Sequence, residues 1–256
     1  MTFASNTALY ASSALKEGVD WARRFRRHER FDDSLARTDE AARTTIIAPH
    51  GGGIEPGTSE LCLAVAGYHP AMLPETPPAG VTYDYWMFEG LRADDNDELH
   101  VTSTGCDDEV ALSLCGGAVH ALALHGFRPD APDDRLVLVG GADASLRRSM
   151  RTALQEAGED AGFEAVDAGD GSELNGDDPC NIINRTLLKG GCQLELSLPL
   201  REAMFGEFTR ARRKHTTNDL FWTFVAVCRD VIDRREADRA VPPPCPPPPQ
   251  PTLTTS

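Results

Sequence analysis

The sequence predicts an α/β domain with a mixed, mostly parallel sheet and helices on both faces. Strand-like and helix-like segments alternate from residue 44 to residue 236. Short apolar runs such as "TTIIAP" and "RLVLVGG" are followed by segments of helical periodicity such as "DASLRRSMRTALQEAG". This alternation is typical of folds in which helices cover a largely parallel sheet. A chain of 256 residues is long enough for one such domain with a full core.

The first half of the domain contains four strand patterns and two helix patterns. The strand "TTIIAP" ends at Pro49, and "TSELCLAVAG" follows as a helix. Next come the strand "YDYWMF" and a short strand "ELHVTS". The segment "DDEVALSLCGG" is predicted to be a helix, since acidic residues occupy its first turn. "AVHALALHG" reads as a buried strand.

The second half contains three further strands, "RLVLVGG", "GFEAVDA" and "GCQLELS". Between the first two, Leu146, Met150 and Leu154 recur at helical spacing, and Gly158 is expected to close that helix. The last helix is predicted over residues 216–236. Helices therefore separate most of the strands, as a doubly covered sheet requires.

The two ends of the chain differ from the domain at 44–240. Residues 1–43 are charged and are expected to form a leading helix or irregular arm packed on the domain edge. Eight of the ten residues from 242 to 251 are proline, which donates no backbone hydrogen bond. We therefore expect residues 241–256 to be a disordered proline-rich tail.

The charge of the chain restricts its partners. Lysine and arginine total 25 against 40 aspartate and glutamate residues, which gives a net charge of −15. Nucleic-acid and anionic-membrane binders need a basic surface, so neither class is expected. The sequence shows no membrane span and no secretory leader pattern, which favours a cytoplasmic protein that could be released by lysis. Seven scattered cysteines without a C-x-x-C pair predict reduced, buried thiols.

Four ionisable residues lie at or near the ends of predicted strands. They are His50, Glu55, His125 and Glu195. In open α/β sheets ligands bind beyond the carboxyl ends of the strands, so these side chains are expected to converge there. Two neutral imidazoles and one carboxylate with an open fourth position form the ligand set of a catalytic zinc ion, and a further glutamate can act as a general base. The glycines at 51–53 would let the chain curl so that His50 and Glu55 reach one ion.

Each of these residues also has a structural interpretation. The glycines at 51–53 could form a flexible turn, and His125 could be a hydrogen-bonded core histidine. Glu195 could point outward to solvent, or it could be buried, in which case its carboxylate needs a partner. Other common sites are excluded, because the sequence lacks a phosphate-binding Gly-Lys-Ser/Thr loop, a G-x-G-x-x-G register and a Gly-x-Ser-x-Gly motif.

Five motifs occur in order along the chain: "APHGGGIEPGTSEL", "FEGL" with "LHVTST", "ALHGF", "DPCNIINR" and "GCQLELS". Together they resemble the phage and bacterial poly-γ-glutamate hydrolase family, whose zinc-dependent members have a fold similar to the metallocarboxypeptidases. The resemblance covers roughly residues 44–202. It implies that His50, Glu55 and His125 bind zinc and that Glu195 is the catalytic base.

The resemblance also implies substrate contacts. Asn184 and Arg185 resemble the Asn-Arg pair that holds a substrate carboxylate in carboxypeptidase-like enzymes. His100 is a candidate for a group beside the metal ligands or on the substrate, or for a structural role. After "HVTST" the family's aromatic-containing segment is replaced by residues 105–109, which puts substrate choice in question and makes Cys106 a possible rival ligand.

The predicted activity is hydrolysis of γ-glutamyl amide bonds in poly-γ-glutamate. This substrate is a polyanion, so a chain of net charge −15 needs a local basic groove to bind it. Residues 210–215, "RARRKH", could supply that groove, as could Arg147, Arg148 and Arg151. Two alternatives stay open: a related zinc hydrolase of peptidoglycan peptides or N-acyl amino acids, and a catalytically silent binding module.

Overall fold

A mixed seven-stranded sheet lies at the centre of the computed structural model, which describes residues 3–28, 43–72, 81–169 and 171–238. Its strands are β1 (Trp21–Arg26), β2 (Thr44–Gly52), β3 (Asp84–Gly90), β4 (His120–Phe127), β5 (Leu136–Gly140), β6 (Glu164–Asp167) and β7 (Cys192–Ser197). Their order across the sheet is β1-β3-β2-β4-β7-β5-β6. The predicted tail at 241–256 lies outside the described residues.

The four central strands run parallel. Strand β2 pairs in parallel with β3 and β4, and β4 pairs in parallel with β7. Two antiparallel pairings, β1 with β3 and β5 with β7, make the sheet mixed. The predicted α/β class with a mixed, mostly parallel sheet is confirmed. Parallel β2, β4 and β7 bring their carboxyl ends to one edge, and this edge carries the candidate site.

Helices cover both faces of this sheet. They are α1 (Asn6–Tyr10), α2 (Thr58–Val65), α3 (Glu109–Gly117), α4 (Ala144–Ala161), α5 (Leu198–Ala203) and α6 (Asp219–Ala237). Apolar residues of α2, α4 and α6 share one buried cluster, and those of α1 and α3 share another. Neighbouring residues of a strand divide between the clusters, as Ile46 and Ile47 do, because successive side chains point to opposite faces.

The amino-terminal arm contributes an edge strand. The expectation of a helix or irregular arm is wrong for residues 21–26, which form β1 and pair with residues 85–90 of β3. Trp21 is buried and stacks on Tyr10 and Phe88 with ring centroids 4.5 and 5.7 Å away. Pairing with β1 satisfies the backbone groups along the outer edge of β3.

Two element predictions differ from the structure. "ELHVTS", residues 98–103, is not a strand: its two ends overlap 3-10 turns at Asn96–Leu99 and Ser103–Gly105, and both edges of β3 are paired with other strands. Helix α4 continues past Gly158 and ends before Gly162, whose φ is +77°. Gly158 serves close packing instead, because a Cβ there would lie 2.3 Å from the carbonyl oxygen of Phe163.

The cysteines in the described part of the chain are free thiols, as predicted. Cys180 is exposed, and five others are buried: Cys62, Cys106, Cys115, Cys192 and Cys228. No helix in the described ranges combines the length and the apolar character needed to cross a bilayer.

Candidate metal centre

The predicted site residues lie at the carboxyl edge of β2, β4 and β7. His50 is near the end of β2, and Glu55 is in the loop that follows. His125 in β4 lies opposite Glu195 in β7 in the parallel register. His50, His125 and Glu195 are 3%, 2% and 5% exposed, so the sheet buries ionisable groups there. Groups of this kind need compensating partners.

Glycines let the loop after β2 turn back on itself. Gly52 has φ of +67°, and a Cβ there would lie 2.4 Å from the carbonyl oxygen of Gly90. A Cβ on Gly51 would lie 2.4 Å from the hydroxyl oxygen of Ser59. The backbone N–H of Glu55 then donates to the carbonyl of His50 at 2.8 Å. Close backbone contacts and this hydrogen bond therefore define the turn, and the turn places Glu55 beside His50.

Two imidazoles and one carboxylate meet at this turn. Nδ1 of His50 lies 2.8 Å from Oε1 of Glu55 and 3.1 Å from Nδ1 of His125. Nδ1 of His125 lies 3.7 Å from Oε2 of Glu55. The backbone N–H of Gly126 donates to Oε2 of Glu55 at 2.8 Å and fixes the carboxylate.

The outer nitrogens of both rings have partners of their own. Nε2 of His50 lies 2.7 Å from the carbonyl oxygen of Val101, so it carries a hydrogen and donates it. Nε2 of His125 lies 3.3 Å from the hydroxyl of Ser103. If His50 is neutral, its Nδ1 and Oε1 of Glu55 are both acceptors, so at 2.8 Å they need either a proton or a metal cation between them.

The pKa values of the two imidazoles shift in opposite directions. Burial alone would lower the pKa of His50, but the carboxylate of Glu55 outweighs burial and raises it, so without a metal a proton on Nδ1 would compensate Glu55. Burial lowers the pKa of His125 to about 3, so this ring is neutral. Neutral imidazoles whose outer N–H is held by a carbonyl or hydroxyl are typical metal ligands. The donor set of His50, Glu55 and His125 therefore fits a divalent metal ion.

His100 is a third imidazole at the cluster. Its ring centroid lies 3.9 Å from that of His50, and its Nε2 lies 3.9 Å from Oε1 of Glu55. Ligand atoms of His50, Glu55 and His100 all lie within 4.8 Å of one another, so these three also form a possible metal-binding group. The ring of His100 is nearer to that of His50 than the ring of His125 is, with centroids 3.9 against 4.8 Å away. We nevertheless favour His125 as the third ligand, because its Nδ1 lies 3.1 Å from Nδ1 of His50 and 3.7 Å from Glu55, and because the His100 side chain is 36% exposed.

Glu195 is a second buried carboxylate beside this cluster. Its Oε1 accepts a hydrogen bond from Nε2 of Gln193 at 2.9 Å. Burial, with the nearby charge of Glu55, raises its pKa to about 8. A strand position pointing to solvent, the structural alternative for Glu195, is excluded by its 5% exposure.

A buried arginine connects the site elements, and the sequence interpretation did not include it. Arg201 in α5 donates from Nε, Nη1 and Nη2 to the carbonyls of Leu196, Pro56 and Phe127 at 3.1, 2.7 and 3.4 Å. The first two of these residues directly follow Glu195 and Glu55 in the chain. A Cβ on Gly126 would lie 2.4 Å from Cζ of Arg201, so the approach requires that glycine. One guanidinium thus fixes three strand and loop ends together.

The guanidinium of Arg201 also faces a cavity of about 280 Å³ beside Glu55. The apolar walls of this cavity include Ile54 and Phe208, and Arg128 lies at its side. Only 3% of Arg201 is exposed, and burial lowers its pKa to about 10. Of the clustered ionisable residues, Glu55 lines this cavity.

Comparison with known proteins identifies the family. The family model described as poly-gamma-glutamate hydrolase matches residues 26–227. The chain belongs to the poly-gamma-glutamate hydrolase family. In Bacillus subtilis strain 168, the SPbeta prophage-derived protein YoqZ is 35% identical over 200 residues, which cover 78% of this chain and 65% of YoqZ. YmaC from the same organism is 32% identical over 195 residues, or 76% of this chain and 74% of YmaC.

Two solved structures share the architecture of this hydrolase-family chain. The bacteriophage poly-gamma-glutamate hydrolase matches with a TM-score of 0.72 and 25% identity over 92% of this chain and 98% of its own. A zinc-free apo structure of YndL matches with a TM-score of 0.69 and 26% identity over 93% of this chain and 98% of its own. The resemblance seen in the motifs therefore extends over nearly the whole described fold.

The remaining predicted residues of this poly-gamma-glutamate hydrolase family member lie outside the cluster. The Asn184 side chain is buried and fully engaged with backbone groups, donating to the carbonyls of Gly176 and Asp178 and accepting from two N–H groups. Arg185 is exposed. Cys106 packs in the apolar cluster of α1 and α3, and burial raises its pKa well above the usual range, which disfavours the thiolate that binds metals. The substrate roles of Asn184 and Arg185 stay predictions.

Proposed function

We propose that this protein hydrolyses γ-glutamyl amide bonds with a zinc ion held by His50, Glu55 and His125. The observation that carries the proposal is the approach of two imidazole Nδ1 atoms and one carboxylate to within 2.8–3.7 Å, beside a second buried carboxylate. Membership of the poly-gamma-glutamate hydrolase family supports the reaction class, and the zinc-free state of the YndL structure supports the metal.

When bound, zinc supplies Lewis acidity toward the amide carbonyl and makes water more acidic, to a pKa of about 7 in hydrolases of this type. The protein orients the ligands for it. Val101 and Ser103 hold the outer nitrogens of His50 and His125, and the N–H of Gly126 holds Glu55. These contacts fix ring orientation before substrate arrives.

Glu195 is proposed to move the proton. In its ionised form, which the positive charge of a bound metal would favour, the carboxylate takes a proton from the attacking water as the new carbon–oxygen bond forms. It delivers this proton to the nitrogen as the carbon–nitrogen bond breaks. The products are a carboxylic acid and an amine, so atoms and charge balance. Gln193 donates to one carboxylate oxygen and leaves the other free for this transfer.

Arg185 is proposed to bind a substrate carboxylate. Its side chain is exposed and makes no ion pair within the described ranges. A guanidinium can bind a carboxylate through two parallel hydrogen bonds. The side-chain amide of Asn184 donates to two backbone carbonyls and so holds the loop that carries Arg185. Asn184 therefore fixes the backbone beside the exposed guanidinium of Arg185.

The test is a substrate panel on zinc-loaded protein, with and without a chelator. We expect γ-linked polyglutamate to be shortened, α-linked polyglutamate to survive, and chelation to abolish cleavage. Chain length is followed by size-exclusion chromatography. Cleavage of the α-linked polymer alone, or of a peptidoglycan peptide or N-acyl amino acid alone, would reassign the substrate, and full activity in the chelator would remove the metal from the mechanism.

A further inference from the structure

A second cavity lies beside the candidate metal centre, on the β3 side. It encloses about 610 Å³ and reaches Gly52, two residues after His50 in β2. We call it the basic groove, lined by Arg24, Glu60, Glu89, Arg210, Arg213 and Lys214 among others. Its volume lies within the range of about 300–1,000 Å³ that is usual for ligand pockets. The groove is therefore large enough to hold part of a substrate.

Four of the charged groups in the groove form two ion pairs. Arg24 lies 3.4 Å from Glu89, and Arg213 lies 3.3 Å from Glu60. Arg213 also donates to the carbonyl of Gly52 at 3.0 Å, which ties the groove floor to the loop of the metal centre. Each pair is neutral overall, and burial raises the pKa of Glu60, which weakens its negative charge.

Two cations in the groove have no carboxylate partner among the residues the structure describes. Arg210 donates one N–H to the carbonyl of Leu91 and keeps its other donors and its charge. Lys214 forms no ion pair with any of the described residues. With the two pairs neutral, these side chains give the groove a positive charge in a chain whose net charge is −15. Such a local reversal of sign attracts an anionic ligand that the rest of the surface repels.

We infer that the basic groove is a remote subsite for the free carboxylates of a γ-linked glutamyl chain whose scissile bond lies at the metal centre. The inference rests on the proposed function for the identity of the polymer. Each γ-linked residue carries one α-carboxylate, so a chain continuing past Gly52 presents anions to Arg210 and Lys214. A short substrate that ends at the metal centre does not reach them.

The arginines of α4 do not share this position. Strand β5 runs antiparallel to β7, so α4, which follows β5, begins at the sheet edge opposite the metal centre. Arg147 is already paired with Asp167 at 3.7 Å. Arg148 and Arg151 are therefore two cations away from the groove that match Arg210 and Lys214 in total charge. They provide the control.

The test compares Arg210→Gln/Lys214→Gln with Arg148→Gln/Arg151→Gln, which change the net charge equally. The groove variant is expected to lose about tenfold or more in kcat/KM on long γ-polyglutamate, the lower end of electrostatic steering effects. Its kcat/KM on a γ-linked glutamyl trimer stays at the wild-type value. Added salt reduces the wild-type rate on the polymer and has less effect on the groove variant. Thermal unfolding checks that both variants fold.

Binding of fluorescently labelled γ-polyglutamate is measured in parallel, with Glu195→Gln added to each protein so that the polymer stays intact. We expect weaker binding for the groove variant alone. Equal losses in the two double variants, or equal losses on polymer and trimer, would overturn the subsite. If wild type cleaves nothing yet binds the polymer through the groove, the proposed function fails and the subsite stands. If wild type cleaves the polymer and the groove variant matches it in both assays, the subsite alone fails.

Discussion

Strands β4 and β7 each place an apolar residue next to an ionisable one. The apolar side chains pack in the core, whereas the ionisable side chains contact polar groups at the sheet edge. Leu124 and Leu194 are fully buried in an apolar cluster. Their neighbours His125 and Glu195 are nearly as buried, at 2% and 5% exposure, yet they meet polar groups from three different segments. The core is stabilised by apolar area removed from water, and the edge depends on each polar group having a partner.

The difference indicates that the acceptors at the edge need a proton or a metal cation among them, whereas the core needs neither. Uncompensated carboxylates and lone pairs in a buried position destabilise a fold. In the cluster, the Nδ1 atoms of His50 and His125 and the carboxylate of Glu55 share one small volume. Metal binding should therefore stabilise this edge, and substitutions should act on function there and on stability in the core.

The largest expected effect comes from Glu195→Gln. Removing a general base lowers kcat by about 10²–10⁴-fold, whereas the zinc content should stay at the wild-type level. Initial rates on γ-polyglutamate and metal analysis of the purified variant check this. Glu202→Gln, an exposed glutamate at the adjacent cavity, is the matched control and should keep its activity. Loss of zinc in Glu195→Gln would instead make this residue a ligand.

Zinc itself gives the next effect. A free zinc concentration of 1,000 times Kd should raise the free energy of unfolding by about 4 kcal/mol. His125→Ala should abolish this increment, because one of the ligands is gone. Urea unfolding with and without zinc measures it, and His69→Ala, at an exposed histidine, should behave as wild type. A zinc increment that survives in His125→Ala would favour His100 as the third ligand.

The core counterpart is Leu124→Ala in the same strand. The free energy of unfolding should fall by about 2–5 kcal/mol, since the change removes buried methyl groups and leaves a cavity. The stabilisation by zinc should stay unchanged, because no ligand is touched. The same urea titrations supply both numbers. If Leu124→Ala also loses the zinc increment, then core and edge are not separable in the way that the comparison requires.

The sequence predicts much of this architecture from local signals. The alternation of strands and helices predicts the sheet, and the glycines after His50 predict the turn that carries Glu55. Strand β1 is missed because its strand character depends on pairing with β3, whose paired residues lie 59 to 69 positions later in the chain. Arg201 is missed for a similar reason: "LPLREA" reads as an ordinary helix start, and the role of the guanidinium emerges only where Leu196, Pro56 and Phe127 come together.

The smallest expected effect distinguishes positioning from simple structural support at Arg201. Arg201→Lys keeps the positive charge but cannot reach three diverging carbonyls, each hydrogen bond being worth about 0.5–1.5 kcal/mol. We expect kcat to fall about tenfold, which corresponds to roughly 1.4 kcal/mol, because Glu55 and Glu195 shift relative to each other. KM should stay nearly unchanged. Arg212→Lys, an exposed arginine paired with Glu207, is the control. If Arg201→Lys lowers the free energy of unfolding without changing kcat, then the Arg201 guanidinium stabilises the fold and does not position the site residues. The contrast between core and edge would then not hold at this residue.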